Sequence, residues 1–160
     1  VPPRFQTVKL RLVAVGKIRE PYIALACEDF RTRLRRYESF EEIEVAASPG
    51  GEPERAIRDE GERVLKLAVP GEPLWLLERT GEAFSSVDLV DRLRDTAATG
   101  ASRVTLVVAG TFGASPALLA RADVRWSLSP LTFLHEWARA LVLEQLYRAA
   151  KIARNEPYHH

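Results

Sequence analysis

Few residues in this chain have the type and spacing to do chemistry, and most of them lie in its last 35 positions. Placed at about 100° per residue, Ala138, Val142, Leu143, Leu146, Ala149, Ala150 and Ala153 form one helical stripe that must be buried. Glu144, Gln145, Arg148, Lys151 and Arg154 fall opposite it, but Arg139 projects into the apolar face. A guanidinium cannot lose its proton there, so it is either ion-paired or aimed at a ligand or a second subunit. His135 stands just before this helix, where it either caps the helix or faces a site. Tyr158, His159 and His160 follow Pro157, which cannot continue a helix. Such a tail either stays loose or folds back over a neighbouring site.

Other chemistries have little support. Three histidines and one cysteine, with no carboxylate cluster at ligand spacing, argue against a metal centre and exclude an intrachain disulfide. Cys27, with Ala26, Phe30 and Leu34 around it at helical spacing, reads as a small buried side chain. A phosphate cradle needs a glycine-rich turn running into a helix, and Gly16-Lys-Ile-Arg19 offers a single glycine. Gly110-Thr-Phe-Gly113 and Leu128-Ser-Pro-Leu-Thr-Phe133 instead set small residues and backbone polar groups beside apolar walls, a better match to an adenosine moiety. Arg31, Arg33, Arg35 and Arg36 are followed at once by Glu38, Glu41, Glu42 and Glu44, either a solvated face with an acidic turn or a phosphate-contacting patch.

The elements that must position these residues alternate between strand and helix. Val8–Val15 turns from alternating to wholly apolar and ends at Gly16; a helix over about 21–37 follows, then a strand over 42–47. A second helix carries Ile57, Gly61, Val64, Leu65 and Ala68 on one face. Leu74–Glu78 is a short buried strand, with Arg79–Ala83 as its turn, and Ser85 with Asp88 caps a third helix. Arg103–Ala109 is the most hydrophobic strand; a short helix from Pro116 to about Arg121 and a strand at Arg125–Leu128 lead to the long final helix. The pattern predicts an α/β sandwich with a mainly parallel sheet covered on both faces, and ligands at the carboxyl ends of its strands. That picks out the loops after Leu77, Ala109 and Leu128.

At 160 residues, 46% hydrophobic and 28% charged, the chain is long enough for a core. Residues 8–160 are expected to form a single domain, with 1–7 a flexible extension. No apolar run is long enough to cross a membrane, and the expected compartment is the cytoplasm. The net charge of +1 does not decide for or against nucleic acid.

Trp126-Ser-Leu-Ser-Pro-Leu-Thr-Phe-Leu-His135, Leu143-Glu-Gln-Leu-Tyr-Arg-Ala149 and Pro157-Tyr-His159 closely resemble the C-terminal signature of the RlmH family, pseudouridine N3-methyltransferases of bacterial large-subunit ribosomal RNA in the SPOUT superfamily. Lys9–Lys17 is similar to that family's opening strand, Asp59-Glu-Gly-Glu62 to its second helix, and Leu77-Glu78 with Gly81 to its middle strand and turn. The resemblance implies a SPOUT-type sandwich with a C-terminal trefoil knot, a homodimer, S-adenosylmethionine as cofactor and 23S ribosomal RNA, in the assembled ribosome, as substrate. It places the cofactor against Leu77, Ala109, Gly110 and the loop Leu128, Ser129, Pro130, Leu131, Thr132 and Phe133, with no metal. It also gives Arg139 the task of stabilising charge on the nucleobase or binding its phosphate, with His135, Tyr158 and His159 shaping the substrate pocket. This chain departs from the family at Ala109, Thr111, Phe112, Leu134 and Glu136. A β-carbon at Ala109 is harmless only if its φ is negative. Two other readings are open: a noncatalytic ribosome-binding module whose Ala109 and Phe112 block the cofactor, and a SPOUT enzyme acting on transfer RNA.

Overall fold

The structure, a computed structural model, describes residues 8–157. The extension expected at 1–7 and the proposed site residues Tyr158 and His159 therefore lie outside the described residues. Five strands, β1 (Lys9–Val15), β2 (Phe40–Val45), β3 (Leu74–Glu82), β4 (Arg103–Val108) and β5 (Val124–Trp126), form one sheet in the order β2-β1-β4-β3-β5. Every strand pair is parallel.

The long apolar runs follow from that arrangement, because a strand covered on both faces needs apolar residues at even and odd positions alike. Leu10, Leu12 and Ala14 of β1, Trp75 of β3 and Val104, Leu106 and Val108 of β4 enter one core. Val13 and Val15, Leu74 and Leu76, and Val107 enter the other. The first core is covered by α1 (Pro21–Leu34), α3 (Ser86–Ala98) and α5 (His135–Ala153), with α5 packed against both others. The second lies beneath α2 (Pro53–Leu65) and α4 (Pro116–Arg121). Pro21, Pro53 and Pro116 stand in the first turn of their helices, where a missing N–H costs nothing. Ser85 and Asp88 form the expected reciprocal cap, the Asp88 N–H donating to Ser85 Oγ at 3.0 Å and the Ser85 N–H to Asp88 Oδ2 at 3.1 Å.

Two expectations change. The segment Arg79–Glu82, expected as a turn, continues β3: Leu77 and Glu82 both pair with Trp126, so the residues between them bulge. Gly81 permits this, because a β-carbon there would collide with the backbone carbonyl of Arg125. The first helix ends at Leu34 rather than near Tyr37, whose ring still reaches Tyr147 at 6.0 Å. In the arginine-rich segment Arg33, Arg35 and Arg36 are exposed, whereas Arg31 is drawn against β2. Arg31 pairs with Glu42, Arg33 with Asp29 at 3.1 Å, and Arg35 donates to the Phe40 carbonyl at 3.5 Å.

Candidate active site

The sheet order explains why the three selected loops meet: β4, β3 and β5 are adjacent and parallel, so their carboxyl ends open at one edge. The cleft there, about 350 Å³, lies within the usual size of small-ligand sites. Leu77, Ala109, Gly110, Leu128, Ser129, Leu131, Thr132, Phe133 and His135 line it, whereas Pro130 does not. Glu78 and Arg79, from the bulge, add its charged groups. Glu78 accepts from the Thr80 N–H at 2.9 Å and the Thr80 hydroxyl at 2.6 Å. Partial burial pushes its carboxyl up, but these bonds prevail and hold it below its ordinary value. The cleft therefore combines apolar walls, backbone polar groups and an ionised carboxylate, which suits an adenosine carrying a positively charged chain.

Neither departure near β4 obstructs it. The φ of Ala109 is not positive, so its β-carbon sits without strain. Phe112 lines the cleft but keeps more than half of its surface exposed. Gly110 cannot be replaced so freely: a β-carbon there would lie 2.5 Å from Glu60 Oε2 and 3.1 Å from Val15 Cγ1.

A second and larger cavity, about 960 Å³, adjoins the first. It opens at the carboxyl ends of β1 and β2, beside β4. Gly110, Thr111, Phe112 and His135 line both. The Gly110–Gly113 turn, closed by the Gly113 N–H donating to the Gly110 carbonyl at 3.0 Å, is thus the partition between them. His135 does not cap α5, whose N-cap is Leu134; its Nδ1 instead lies 3.5 Å from Thr111 Oγ1.

Arg139 resolves to the first of its two alternatives. Its Nε donates to Glu42 Oε1 at 2.7 Å, a terminal nitrogen pairs with Glu44 Oε2 at 2.7 Å, and the other donates to the Gly16 carbonyl at 3.3 Å. It is buried to 5% exposure and held by two carboxylates, so its charge is compensated within the fold. It holds Gly16 and Glu44, which line the second cavity. Burial raises the Glu42 carboxyl, but the Arg31 hydrogen bond and the Arg139 charge together bring it below its ordinary value.

The sequence reading missed the second cavity and with it Lys17, Arg19, Glu60 and Glu136. Glu60 had a legible signal: it lies on the buried stripe of α2 between Ala56 and Val64, as anomalous there as Arg139 is on α5. Glu136 is buried too, and its Oε1 accepts from the backbone N–H groups of Arg19 and, at 3.2 Å, Glu20. It caps α1 from the far end of the chain, since Glu20, the N-cap, offers no side-chain bond.

Among families of known proteins, the one described as predicted SPOUT methyltransferase matches residues 8–159. This chain is a SPOUT methyltransferase family member. Proteins called ribosomal RNA large subunit methyltransferase H are similar along nearly their whole length. That of Desulfitobacterium hafniense strain Y51 is 40% identical over 158 residues, covering 95% of this chain and 99% of the relative. That of Pelobacter propionicus is 40% identical, covering 96% and 100%, and that of Rubrobacter xylanophilus 42%, covering 92% and 96%. Among solved structures, a probable methyltransferase from Bordetella pertussis aligns with a TM-score of 0.56 at 15% identity, covering 91% of this chain and 96% of its own. The tRNA (m1G37) methyltransferase of Aquifex aeolicus aligns at 0.52 and 18%, covering 95% and 75%. At such identities these two attest to the shared fold alone. No group of His, Cys, Asp and Glu placed to hold a metal occurs among the described residues, and no described helix is long and apolar enough to cross a membrane.

Proposed function

We propose that this SPOUT methyltransferase transfers the methyl group of S-adenosylmethionine to N3 of a pseudouridine in large-subunit ribosomal RNA, acting as a homodimer on the assembled ribosome in the cytoplasm. The observation that carries the reading is the cleft at the carboxyl ends of β4, β3 and β5, separated from a second cavity only by the Gly110–Gly113 turn. The names of the full-length relatives supply the ribosomal substrate.

The sulfonium cofactor supplies an already electrophilic methyl, so the protein's work is to hold donor and base in line and to help the ring nitrogen lose its proton. Leu77, Ala109, Gly110 and the Leu128–Phe133 loop would hold the adenosine, with Glu78 facing its positive side. His135 stands at the partition, where it can order the reacting groups, and Arg139 is a positioning residue acting through Gly16 and Glu44. Tyr158 and His159 are proposed to complete the substrate side. The trefoil knot is proposed for the segment that carries the last loop into α5.

The open ring faces of Tyr22 and Trp137, 5.8 Å apart between centroids, with exposed Leu25, Leu131 and Leu134, support the homodimer. The strain-free Ala109 and the open cleft beside it weigh against the noncatalytic reading. Calorimetry with S-adenosylmethionine, followed by methyl transfer to naked ribosomal RNA, isolated subunits, whole ribosomes and transfer RNA, tests the assignment. Cofactor binding with methylation of ribosomes is expected; no binding at millimolar cofactor, or methylation of transfer RNA alone, would overturn it.

A further inference from the structure

Resting on that reading, we propose that the second cavity is the pocket for the acceptor nucleotide and that Glu60 takes the N3 proton of its base. Geometry comes first. The first cleft and the second cavity share Gly110, Thr111, Phe112 and His135, so a nucleotide seated in the second cavity would meet a methyl donor in the first at that partition. Glu60 is the carboxylate seated there. It is 8% exposed, its Oε1 accepts from the Ser48 N–H at 3.4 Å, and its Oε2 lies against Gly110 closely enough that no β-carbon fits between. A carboxylate buried on the apolar stripe of α2 adds nothing to the core, and burial of such a group needs a compensating use.

The chemistry matches one class of base. A uracil-type imide presents N3–H between two carbonyl oxygens: one donor flanked by two acceptors. A carboxylate accepts the N3–H, while Lys17 and Arg19, which line the same cavity, supply donors and positive charge for the carbonyls. As the reaction proceeds, the N3–H bond breaks and its proton passes to a Glu60 oxygen. The nitrogen's electron pair forms the bond to the methyl carbon, and the electrons of the broken carbon–sulfur bond remain on sulfur. The base is neutral before and after, and the charge that develops on its carbonyls is the charge Lys17 and Arg19 face. A cytosine would direct its N3 lone pair at the carboxylate and be repelled, so the same residue selects against it.

The other carboxylates around this cavity are engaged elsewhere, which favours Glu60 as the acceptor. Glu44 is paired with Arg139, Glu136 is engaged by the β1–α1 backbone, and His135 lies by Thr111. Arg63, one turn along α2, donates to the Ala46 carbonyl and Ser48 Oγ and so holds the loop that contacts Glu60.

Two measurements on the intact homodimer test this. Amide spectra titrated with pseudouridine 5′-monophosphate, without cofactor, should shift at Gly16, Lys17, Arg19 and Thr111, and cytidine 5′-monophosphate should not shift them. This arm needs no turnover, so nucleotide binding without methylation of any ribosomal RNA would sink the proposed function and leave this pocket standing. In the second, Glu60→Gln should lower kcat by ~10²–10³-fold at neutral pH, the usual worth of a general base. The loss should shrink at alkaline pH, where the imide ionises unaided, with melting temperature and RNA affinity unchanged. Glu60→Asp, retaining the carboxylate, should recover part of the rate. Shifts confined to another surface, a Glu60→Gln rate within a few-fold of the parent, or a loss undiminished at high pH would each overturn the proposal.

Discussion

Two residues show how much rests on single atoms. Gly110 lies where two cavities and a buried carboxylate converge, and a β-carbon would stand 2.5 Å from Glu60 Oε2. Gly110→Ala is therefore expected to displace Glu60 and narrow the partition, costing about 1–3 kcal/mol of packing. Methyl transfer should drop by at least ~10-fold while the far-ultraviolet spectrum stays unchanged; wild-type turnover would show that the turn yields. Cys27 makes the complementary case. It is completely buried, and desolvation, which outweighs the nearby Arg139 charge, raises its thiol from 9.0 to about 11. An acid whose folded value is raised contributes stability that is present below its unfolded value and is lost as pH climbs toward the folded one. The unfolding free energy from urea titrations should thus fall between about pH 9 and 11 by up to roughly 3 kcal/mol more in the parent than in Cys27→Ala. Parallel curves for the two proteins would contradict this.

At the scale of elements, the site is a junction of helix starts and strand ends held by buried charge. Arg139 of α5 bonds Glu42 and Glu44 of β2 and the Gly16 carbonyl after β1, tying the last helix to the first two strands. Glu136, one turn earlier, caps α1. Breaking a buried pair leaves an uncompensated charge, so Arg139→Met should cost ~3–5 kcal/mol, lowering the melting temperature by roughly 10 °C. The carboxyl of Glu42 is depressed, which places its contribution above the unfolded value and removes it as pH falls. The variant should therefore lose less additional stability on acidification than the parent. Retained stability together with abolished chemistry would instead indicate that Arg139 acts directly on substrate.

At the scale of the whole molecule, several exposed apolar residues belong to α1 and to the approach and first turn of α5. Tyr22 and Leu25 of α1 and Trp137 of α5, with Leu131 and Leu134 ahead of it, expose between 40% and 67% of their surface. An exposed apolar cluster of this kind is the candidate contact surface for the proposed homodimer. For the proposed homodimer, Trp137→Glu is expected to shift the sedimentation coefficient from dimer to monomer and to reduce turnover by at least ~10-fold, because the neighbouring loop walls the proposed cofactor cleft. A variant that remains dimeric at micromolar concentration would place the contact elsewhere.

What the sequence determined by itself was local or periodic. Doubly apolar strands announced a covered parallel sheet, Ser85 with Asp88 announced a cap, and Arg139 on an apolar stripe announced a buried partner. The three loops of the cleft were legible because strand ends are where parallel sheets leave room. Arg79–Glu82 read as a turn because its polar residues hide a bulged strand, whose pairing depends on β5 more than forty positions later. Which partner Arg139 takes, that Gly16–Arg19 faces the same cavity as Glu60, and that Glu136 caps a helix 116 positions away depended on strand order. No periodicity encodes that order. It is fixed only when the whole chain buries its two cores at once, so tertiary structure alone could bring the second cavity beside the first.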